Sequence, residues 1–211
     1  MRSVACFLSF KPVTFHGDSL DRLRDFPEDA RRDAGHEVYK LQKGLDPTDW
    51  KPMPAIGADV REIKIRQTAG SYRVDLHCDF DRRGSCAARI QEDVAKNRAA
   101  RPGPSGSTTA AVKTRIEMTK PQTFANVWDA IEDSREEAAT MTMRSNVMIA
   151  INEKVRSWNT TQLRAAHRLG ITQPRLNDLL HGKINKFSLD TLLTLATRAG
   201  LKVKIDVRSA A

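Results

Sequence analysis

Residues 161–182 read TQLRAAHRLGITQPRLNDLLHG, and they carry the signals for two short helices joined by a tight turn. A hydroxyl at Thr160 or Thr161 can cap the first helix. Three apolar residues then recur at three-residue steps along one face of that helix: Leu163, Ala166 and Leu169. Gly170 follows, and glycine enters the left-handed conformation at little cost where a helix must stop.

The second helix of this stretch has its own start signals. Thr172 can cap it, and Pro174 lies in the first turn, where a missing N–H costs nothing. Leucines at 176, 179 and 180 are expected to point inward, and His181-Gly182 ends the helix. Two short helices around a glycine turn predict a helix-turn-helix.

In this motif the second helix can lie in the major groove of DNA, with its N-terminal residues at the base edges. Gln and Asn pair with adenine and Arg with guanine, so four residues are the expected base readers: Thr172, Gln173, Arg175 and Asn177. The expected phosphate contacts are Gln162, Arg164, Arg168, Lys183 and Lys186. The alternative is an ordinary helical hairpin with a solvated polar face.

Apolar stripes on both sides of the motif favour the DNA-binding interpretation. One runs from Val147 to Trp158, and Ser188 opens a further helix that ends at Gly200. The stretch LGITQPRLNDLLHGKINKFSLDTLLTLATRAGL resembles the XRE (lambda-repressor-like) helix-turn-helix family. More closely, it resembles the HigA-type antitoxins of type II toxin–antitoxin systems. That resemblance implies repression of the protein's own operon and neutralisation of a HigB-like toxin.

Charge is distributed unevenly along the 211 residues, whose formal net charge is +9. Residues 144–211 hold twelve Lys and Arg against four Asp and Glu, whereas residues 123–143 hold five acids and one Arg. This predicts one surface for nucleic acid and another for a different partner. The three cysteines lack C-x-x-C spacing, and no histidine pattern suggests a metal. The sequence therefore predicts a soluble, cytoplasmic protein with reduced thiols and with no metal, cofactor or membrane span.

The N-terminal half predicts a strand, two helices and a meander, which is the beginning of an α+β sheet. The stretches FHGDSLDRLRDFPEDARRDAGHEVYKLQKGLDPTDWKPMP and VREIKIRQTAGSYRV resemble the HigB toxins of the RelE-like mRNA interferases. In that superfamily basic and aromatic side chains grip phosphates and assist proton transfer. The matching candidates are Arg61, Lys64, Arg66, Tyr72 and Arg73. The alternative is that these are outward-facing strand residues with no catalytic role.

Residues 78–121 change in character, and RPGPSGSTT is typical of a flexible linker. The further strands of the toxin family are missing after Val74, so the sequence predicts a three-stranded, incomplete sheet with an open edge. We expect this half to be partly ordered at best and inactive as a nuclease. An indel near the codon for Val74, which joined two reading frames, is one explanation; a native linker is the other.

Four apolar residues at helical spacing predict an acidic amphipathic helix in residues 122–143: Phe124, Val127, Trp128 and Ile131. The resemblance to HigA implies that this helix binds the toxin. Its carboxylates would then contact the basic surface of the toxin, and its apolar stripe would pack against the toxin. The alternative is that Trp128 and Ile131 pack on the helical domain.

The C-terminal residues 201–211 alternate apolar and polar side chains, which predicts a half-buried strand. A strand needs a partner for its backbone groups. The first candidate is the same strand of a second chain, paired through Val203, Ile205 and Val207 in a homodimer. The other is the incomplete sheet of the same chain.

The sequence thus predicts an α+β chain with five parts. These are a toxin-like remnant at 1–77, a linker at 78–121, a toxin-binding helix at 122–143, a helix-turn-helix domain at 144–200 and a dimerisation strand at 201–211. The predicted function is a DNA-binding regulator whose partners are operator DNA and a HigB-like toxin, fused or separate. Two alternatives remain: an mRNA interferase silenced by its fused antitoxin, and a chain that only binds a separate toxin.

Overall fold

The computed structural model describes residues 10–55, 60–67, 70–78, 86–89 and 120–204. The chain divides into two compact units, Met1–Ala138 and Ala139–Ala211. Its mixed α+β class, with N-terminal strands and C-terminal helices, agrees with the sequence prediction. In the described parts of the chain no helix is both long enough and apolar enough to cross a membrane.

In its described part the first unit is built on a six-stranded sheet with the strand order β2-β3-β4-β5-β1-β6. Its strands are β1 (Val13–Phe15), β2 (Trp50–Pro52), β3 (Val60–Gln67), β4 (Gly70–Cys78), β5 (Cys86–Arg89) and β6 (Gln122–Phe124). Of the strand pairings that the structure describes, β1–β5 is parallel and the others are antiparallel. Among the described residues three helices accompany the sheet: α1 (Ser19–Arg24), α2 (Glu28–Gln42) and α3 (Val127–Ile131).

Helix α2 packs on β3 through the apolar stripe that the sequence predicts. Ala30, Ala34, Val38 and Leu41 are all buried. On the facing strand Ile63 and Ile65 are buried as well, and they alternate with Glu62 and Lys64, which point to the opposite face. Apolar side chains that repeat every 3.6 residues on the helix and every second residue on the strand thus pack together in one core.

The prediction of a sheet that ends after three strands was wrong. Strand β4 continues through Val74 to Cys78 and is paired with β3 from Gly70 to His77. Strand β5 lies inside the segment that was predicted to be linker. It has only four residues, so its alternation gave little signal, and its parallel partner β1 lies about 70 residues earlier in the chain. Residues 79–85 and 90–119 lie outside the described residues.

Residues 122–143 do not form one continuous helix. Phe124 lies in β6, Asn126 caps the single turn of α3, and Glu132 has extended backbone angles. Helix α4 (Arg135–Ser157) begins after this break. The i, i+3, i+4, i+7 spacing gave the wrong period for Phe124, because its strand pairing with β1 is a long-range interaction that local spacing does not encode.

The second unit is helical. After α4 come α5 (Gln162–Leu169), α6 (Gln173–Leu180), a 3₁₀ turn (Ile184–Lys186) and α7 (Leu189–Arg198). The core is formed by apolar side chains from all four helices and the 3₁₀ segment, among them Met148, Ile151, Val155, Leu169, Leu176, Leu179, Phe187 and Leu192. Leu163 was predicted to be inward, but it is 65% exposed. Ala165 takes its place in the core because four-residue steps carry the apolar stripe here.

Candidate nucleic-acid interface

The turn between α5 and α6 has the geometry that its sequence predicts. Thr161 caps α5 through the backbone N–H of Arg164, with 3.4 Å between the N and Oγ1 atoms. Gly170 ends the helix in the left-handed region at φ +67°. The Arg198 guanidinium donates to the carbonyl oxygen of Leu169 at 3.0 Å, and so satisfies one of the free carbonyls at the helix end.

Helix α6 begins at the cap that the sequence predicts. The Thr172 side chain accepts from the N–H of Arg175, and Pro174 lies in the first turn. Leu176 and Leu179 are fully buried, so the orientation of the helix is fixed by the core. The four predicted base readers all lie on the exposed side or at the exposed end of this helix: Thr172, Gln173, Arg175 and Asn177.

Arg175 is held in place although its side chain is exposed. Its guanidinium carbon lies 4.9 Å from the centroid of the Phe187 ring, and its Nη2 atom donates to the Lys186 carbonyl at 3.2 Å. A cation over an aromatic face is stabilised by the ring quadrupole. The contact restricts the guanidinium to one region near the N-terminal end of α6, which lowers the entropic cost of ordering it on a ligand.

The predicted phosphate contacts surround the same two helices. Gln162, Arg164 and Arg168 are exposed on α5, and Arg168 lies 4.2 Å above the Trp158 ring. Lys183 and Lys186 follow α6. These residues bring cationic and amide groups to both ends of the helix pair.

Several residues that sequence reasoning missed also shape this surface. The Asp178 carboxylate forms an ion pair with the Nζ atom of Lys186 at 2.6 Å, which partly neutralises the charge of one residue predicted to contact phosphate. Arg144 of α4 donates to the carbonyl oxygens of Ile184 and Phe187, both at 2.6 Å, and the amide of Asn152 donates to Leu179 at 3.2 Å. Asn152 thus fixes the end of α6 and Arg144 the 3₁₀ turn after it, but their separation in sequence from these partners has no helical or strand period that could reveal the contacts.

The five toxin-like candidates are not brought together on one face of the sheet. Arg61 shares the helix-facing side with Ile65, and Tyr72 lies opposite Ile65 in the register and contacts Phe26 at a centroid distance of 4.8 Å. The other three candidates lie on the opposite face: Lys64, Arg66 and Arg73. The alternation of strand residues therefore divides the set.

Carboxylates of the same unit neutralise three of these cations. Arg61 pairs with Asp46 at 2.7 Å, Arg66 with Asp49 at 3.0 Å and Arg73 with Glu62 at 3.0 Å. The Glu62 carboxylate is buried and also lies 3.3 Å from the Lys51 ammonium. Cations that are paired within the chain attract RNA phosphates less strongly than free ones.

The four residues predicted to bind a toxin lie against the N-terminal half of their own unit. Phe124 contacts Phe15 edge-on at a centroid distance of 6.0 Å. Val127, Trp128 and Ile131 are buried. The segment also carries Glu132, whose carboxylate pairs with the Arg32 guanidinium. Hydrogen bonding to that carboxylate raises the pKa of Arg32 above its ordinary value.

The predicted dimerisation residues fall at the end of the described chain. Residues 201–204 are not assigned to a strand paired with any other described residue, and Val203 is 44% exposed. They border an apolar groove of about 390 Å³ between α4 and α7 that also contains Met143, Val147 and Leu193. Ile205 and Val207 lie outside the described residues.

Among the described residues no group of three His, Cys, Asp or Glu side chains is placed to hold a metal ion. His36 on α2 has a strongly shifted pKa. Complete burial lowers the pKa of this histidine to about 4. His36 lies on α2 beside Glu37 and packs within the first unit, far along the chain from the helix-turn-helix. It is therefore a structural histidine of the sheet unit.

Comparison with known protein families separates the same two regions of the chain. Residues 130–208 match a family described as a helix-turn-helix domain, and residues 21–87 match one described as a phage-derived, Gp49-like protein. No curated protein matches the chain. The polypeptide thus joins a phage- and toxin-like domain at its N-terminus to a DNA-binding helix-turn-helix domain at its C-terminus.

Proposed function

We propose that the protein is a sequence-specific transcriptional regulator: a HigA-like antitoxin of a type II toxin–antitoxin system that represses its own operon and neutralises a HigB-like toxin. The observation that carries the DNA-binding part is the position of α6. Its buried leucines anchor it in the core, while the polar residues at its N-terminal end remain exposed. This is the arrangement by which a recognition helix reads the major groove.

The residue types support a division of work. Gln173 and Asn177 can pair with adenine, and the preorganised Arg175 can make a bidentate contact to guanine. The cations on α5 and after α6 bind the flanking phosphates and set the register on the duplex. The formal charge of +8 over residues 144–211 favours the approach to DNA at low salt.

We further propose that the regulator is a homodimer formed through its C-terminal residues. Exposed Val203 and the adjacent apolar groove support this, as does the alternation that continues through Ile205 and Val207. A two-fold axis would place two recognition helices one DNA turn, roughly 34–36 Å, apart and would demand a palindromic operator. Truncation after Gly200 is expected to abolish the dimer; a truncated chain that stays dimeric contradicts this assignment.

The direct test is a gel shift with the DNA upstream of the protein's own gene. Arg175→Ala should relax the preference at one base position and weaken binding by about 1–3 kcal/mol. Lys183→Ala should weaken all sequences alike and lower the salt slope by about one. Arg22→Ala is the matched control, because it removes one exposed cation from α1 of the other unit. Equal behaviour of the Arg175 and Lys183 variants refutes the division between base reading and phosphate contact.

A second candidate function is a ribosome-dependent mRNA interferase held inactive by its fused antitoxin. The observation that favours it is the sheet, which has six strands and not the predicted three. Expression of the full chain with Glu132→Arg tests it, because this change disturbs the fused segment and none of the toxin-like candidates. Growth arrest with mRNA cleavage supports the interferase; normal growth with a folded variant speaks against it.

A further inference from the structure

The segment of residues 122–132 is bound to the N-terminal half by backbone pairing. Strand β6 adds antiparallel to β1, with Val13 opposite Phe124 and Phe15 opposite Gln122. The hydroxyls of Thr14 and Thr123 lie 3.0 Å apart across this pairing. Addition of a strand to a sheet edge is a general mode of peptide recognition.

A buried glutamine hydrogen-bonds both to the N-terminal half and to the segment of residues 122–132. Gln42, the last residue of α2, donates from Nε2 to the carbonyl oxygens of Lys11 at 2.7 Å and Ala125 at 2.9 Å. Its Oε1 atom accepts from the backbone N–H of Val127 at 2.9 Å. The amide is fully buried, so its donor and acceptor both find partners without water.

Helix α2 also provides a notch that fits this segment. The notch is formed at Gly35, where a Cβ atom would lie 2.4 Å from the Cδ1 atom of Ile131 and 2.8 Å from the Cζ3 atom of Trp128. Trp128 is 0% exposed. A larger residue at position 35 would displace both side chains, so the shape of α2 is specific for them.

Charge adds directional contacts at the end of the segment. Arg32 binds Glu132 in a bidentate manner, with its Nε atom 2.9 Å from Oε1 and its Nη2 atom 3.1 Å from Oε2. Only 1% of the Glu132 side chain is exposed. Arg24 donates twice to the carbonyl oxygen of Ala130, at 2.9 and 2.6 Å. Bidentate Arg–carboxylate pairs are strong and geometrically selective.

We propose that residues 122–132 are an intramolecular ligand of the Gp49-like half, and that their binding in cis prevents this chain from capturing a separate toxin of the same kind. The inference rests on the proposed antitoxin function and names its target: the protein's own N-terminal half. Five contacts occupy the surface, which are the strand pairing, the Gln42 bridge, the Gly35 notch, the Arg24 hydrogen bonds and the Arg32–Glu132 pair. The surface is therefore closed to a second ligand of the same shape.

Covalent linkage makes the cis arrangement dominant. The two sides belong to one polypeptide, so the effective concentration of the segment at its surface is on the order of millimolar for a linker that spans the sites. A separate partner at micromolar concentration competes at a disadvantage of roughly a thousandfold. The chain neutralises itself before it can neutralise another molecule.

The test uses a fluorescent peptide of residues 120–138 and the full chain with a protease site inserted between Ser105 and Gly106. The intact chain is expected to exclude the peptide at micromolar concentration. After cleavage the two fragments should stay together, and excess peptide should then displace the C-terminal fragment. The matched control peptide carries Trp128→Ala and should displace nothing.

Three results would each overturn the proposal. The intact chain could bind the peptide as readily as the cleaved one, which would mean that the surface is open. The cleaved fragments could separate without peptide, in which case the contacts do not suffice. Finally, the cleaved chain could resist excess peptide, which would make residues 122–132 an inseparable part of the core.

Charge reversal provides a second readout on the full chain. Glu132→Arg should increase peptide binding on the order of a hundredfold, because it breaks a buried ion pair in cis while Arg32 remains available to the peptide. Adding Arg32→Glu should restore exclusion through the reversed pair. Asp129→Asn, an exposed change on α3, should have no effect. A double variant that binds the peptide like the single one contradicts the assigned pairing.

The same variants separate this proposal from the regulator assignment. Glu132→Arg is expected to leave the gel shift with upstream DNA unchanged, since the helix-turn-helix residues are intact. Failure to bind any upstream DNA with normal peptide exclusion removes the proposed function and leaves the cis contact. Normal DNA binding by an intact chain that also binds the peptide removes the cis contact and leaves the proposed function.

Discussion

Substitution of Gly35 by alanine tests how closely the 122–132 segment fits α2. Gly35 lies in the interior of a helix, where alanine alone would stabilise by about 1 kcal/mol relative to glycine. Against this, the new Cβ atom would lie 2.4 Å from Ile131 and 2.8 Å from Trp128, both of which are buried. Overpacking of a filled core costs about 1–3 kcal/mol. The expected net result is a loss of up to about 2 kcal/mol in the free energy of unfolding.

The close atom identifies the partner variant. Ile131→Val removes the Cδ1 atom that the new Cβ would strike, and on its own it should cost about 0.5–1.5 kcal/mol as a lost buried methyl group. In the Gly35→Ala background the same change relieves the collision, so the double variant should be more stable than the sum of the single effects by at least about 0.5 kcal/mol.

Urea denaturation of the four proteins measures this cycle, with a common slope as the sign that the unfolded states are comparable. The reasoning is refuted if Gly35→Ala stabilises the chain by the full helix-propensity value. Additivity of the two substitutions would refute it as well, because it would show that Ile131 does not meet position 35.

Three further predictions concern other parts of the molecule. Burial lowers the pKa of His36 to about 4, so only the unfolded chain takes up this proton as the pH falls from about 6.5. The free energy of unfolding of the first unit should therefore fall by about 3 kcal/mol between pH 6.5 and pH 4. His36→Gln should flatten that part of a curve of stability against pH. Asp178→Asn frees the Lys186 ammonium, so DNA binding should tighten and its salt slope should steepen in a titration; an unchanged slope contradicts the ion pair. Gly170→Ala forces an L-residue into φ +67° and against Arg198, which should lower the melting temperature of the helical unit through a cost of about 1–2 kcal/mol or more; no change would mean that the turn relaxes.

The helix-turn-helix was predictable because its signals are local. The cap at Thr172, the proline in the first turn and the left-handed Gly170 each act within a few residues, and the structure has all three. The exposure of Arg175 follows from the same helical period. Its contact with Phe187 does not, because that ring comes from the segment after the helix.

The sheet was harder to predict, because its pairings join distant residues. Strand β1 pairs with β5 and β6, which lie about 70 and 110 residues later in the chain. Phe124 fits a helical stripe by spacing, but its strand pairing decides its conformation. The carboxylates that pair with Arg61 and Arg66 come from the irregular segment between α2 and β2, where no period connects acid to base.

The most direct test of the central claim is a footprint and gel shift that compare the wild-type chain with Arg175→Ala on the upstream DNA and on single-base variants of it. A dimer that reads DNA through α6 should protect a palindromic site, and the variant should lose discrimination at one base position per half-site. Equal discrimination by the two proteins, or binding that depends on salt but not on sequence, would contradict the assignment of α6 as a recognition helix.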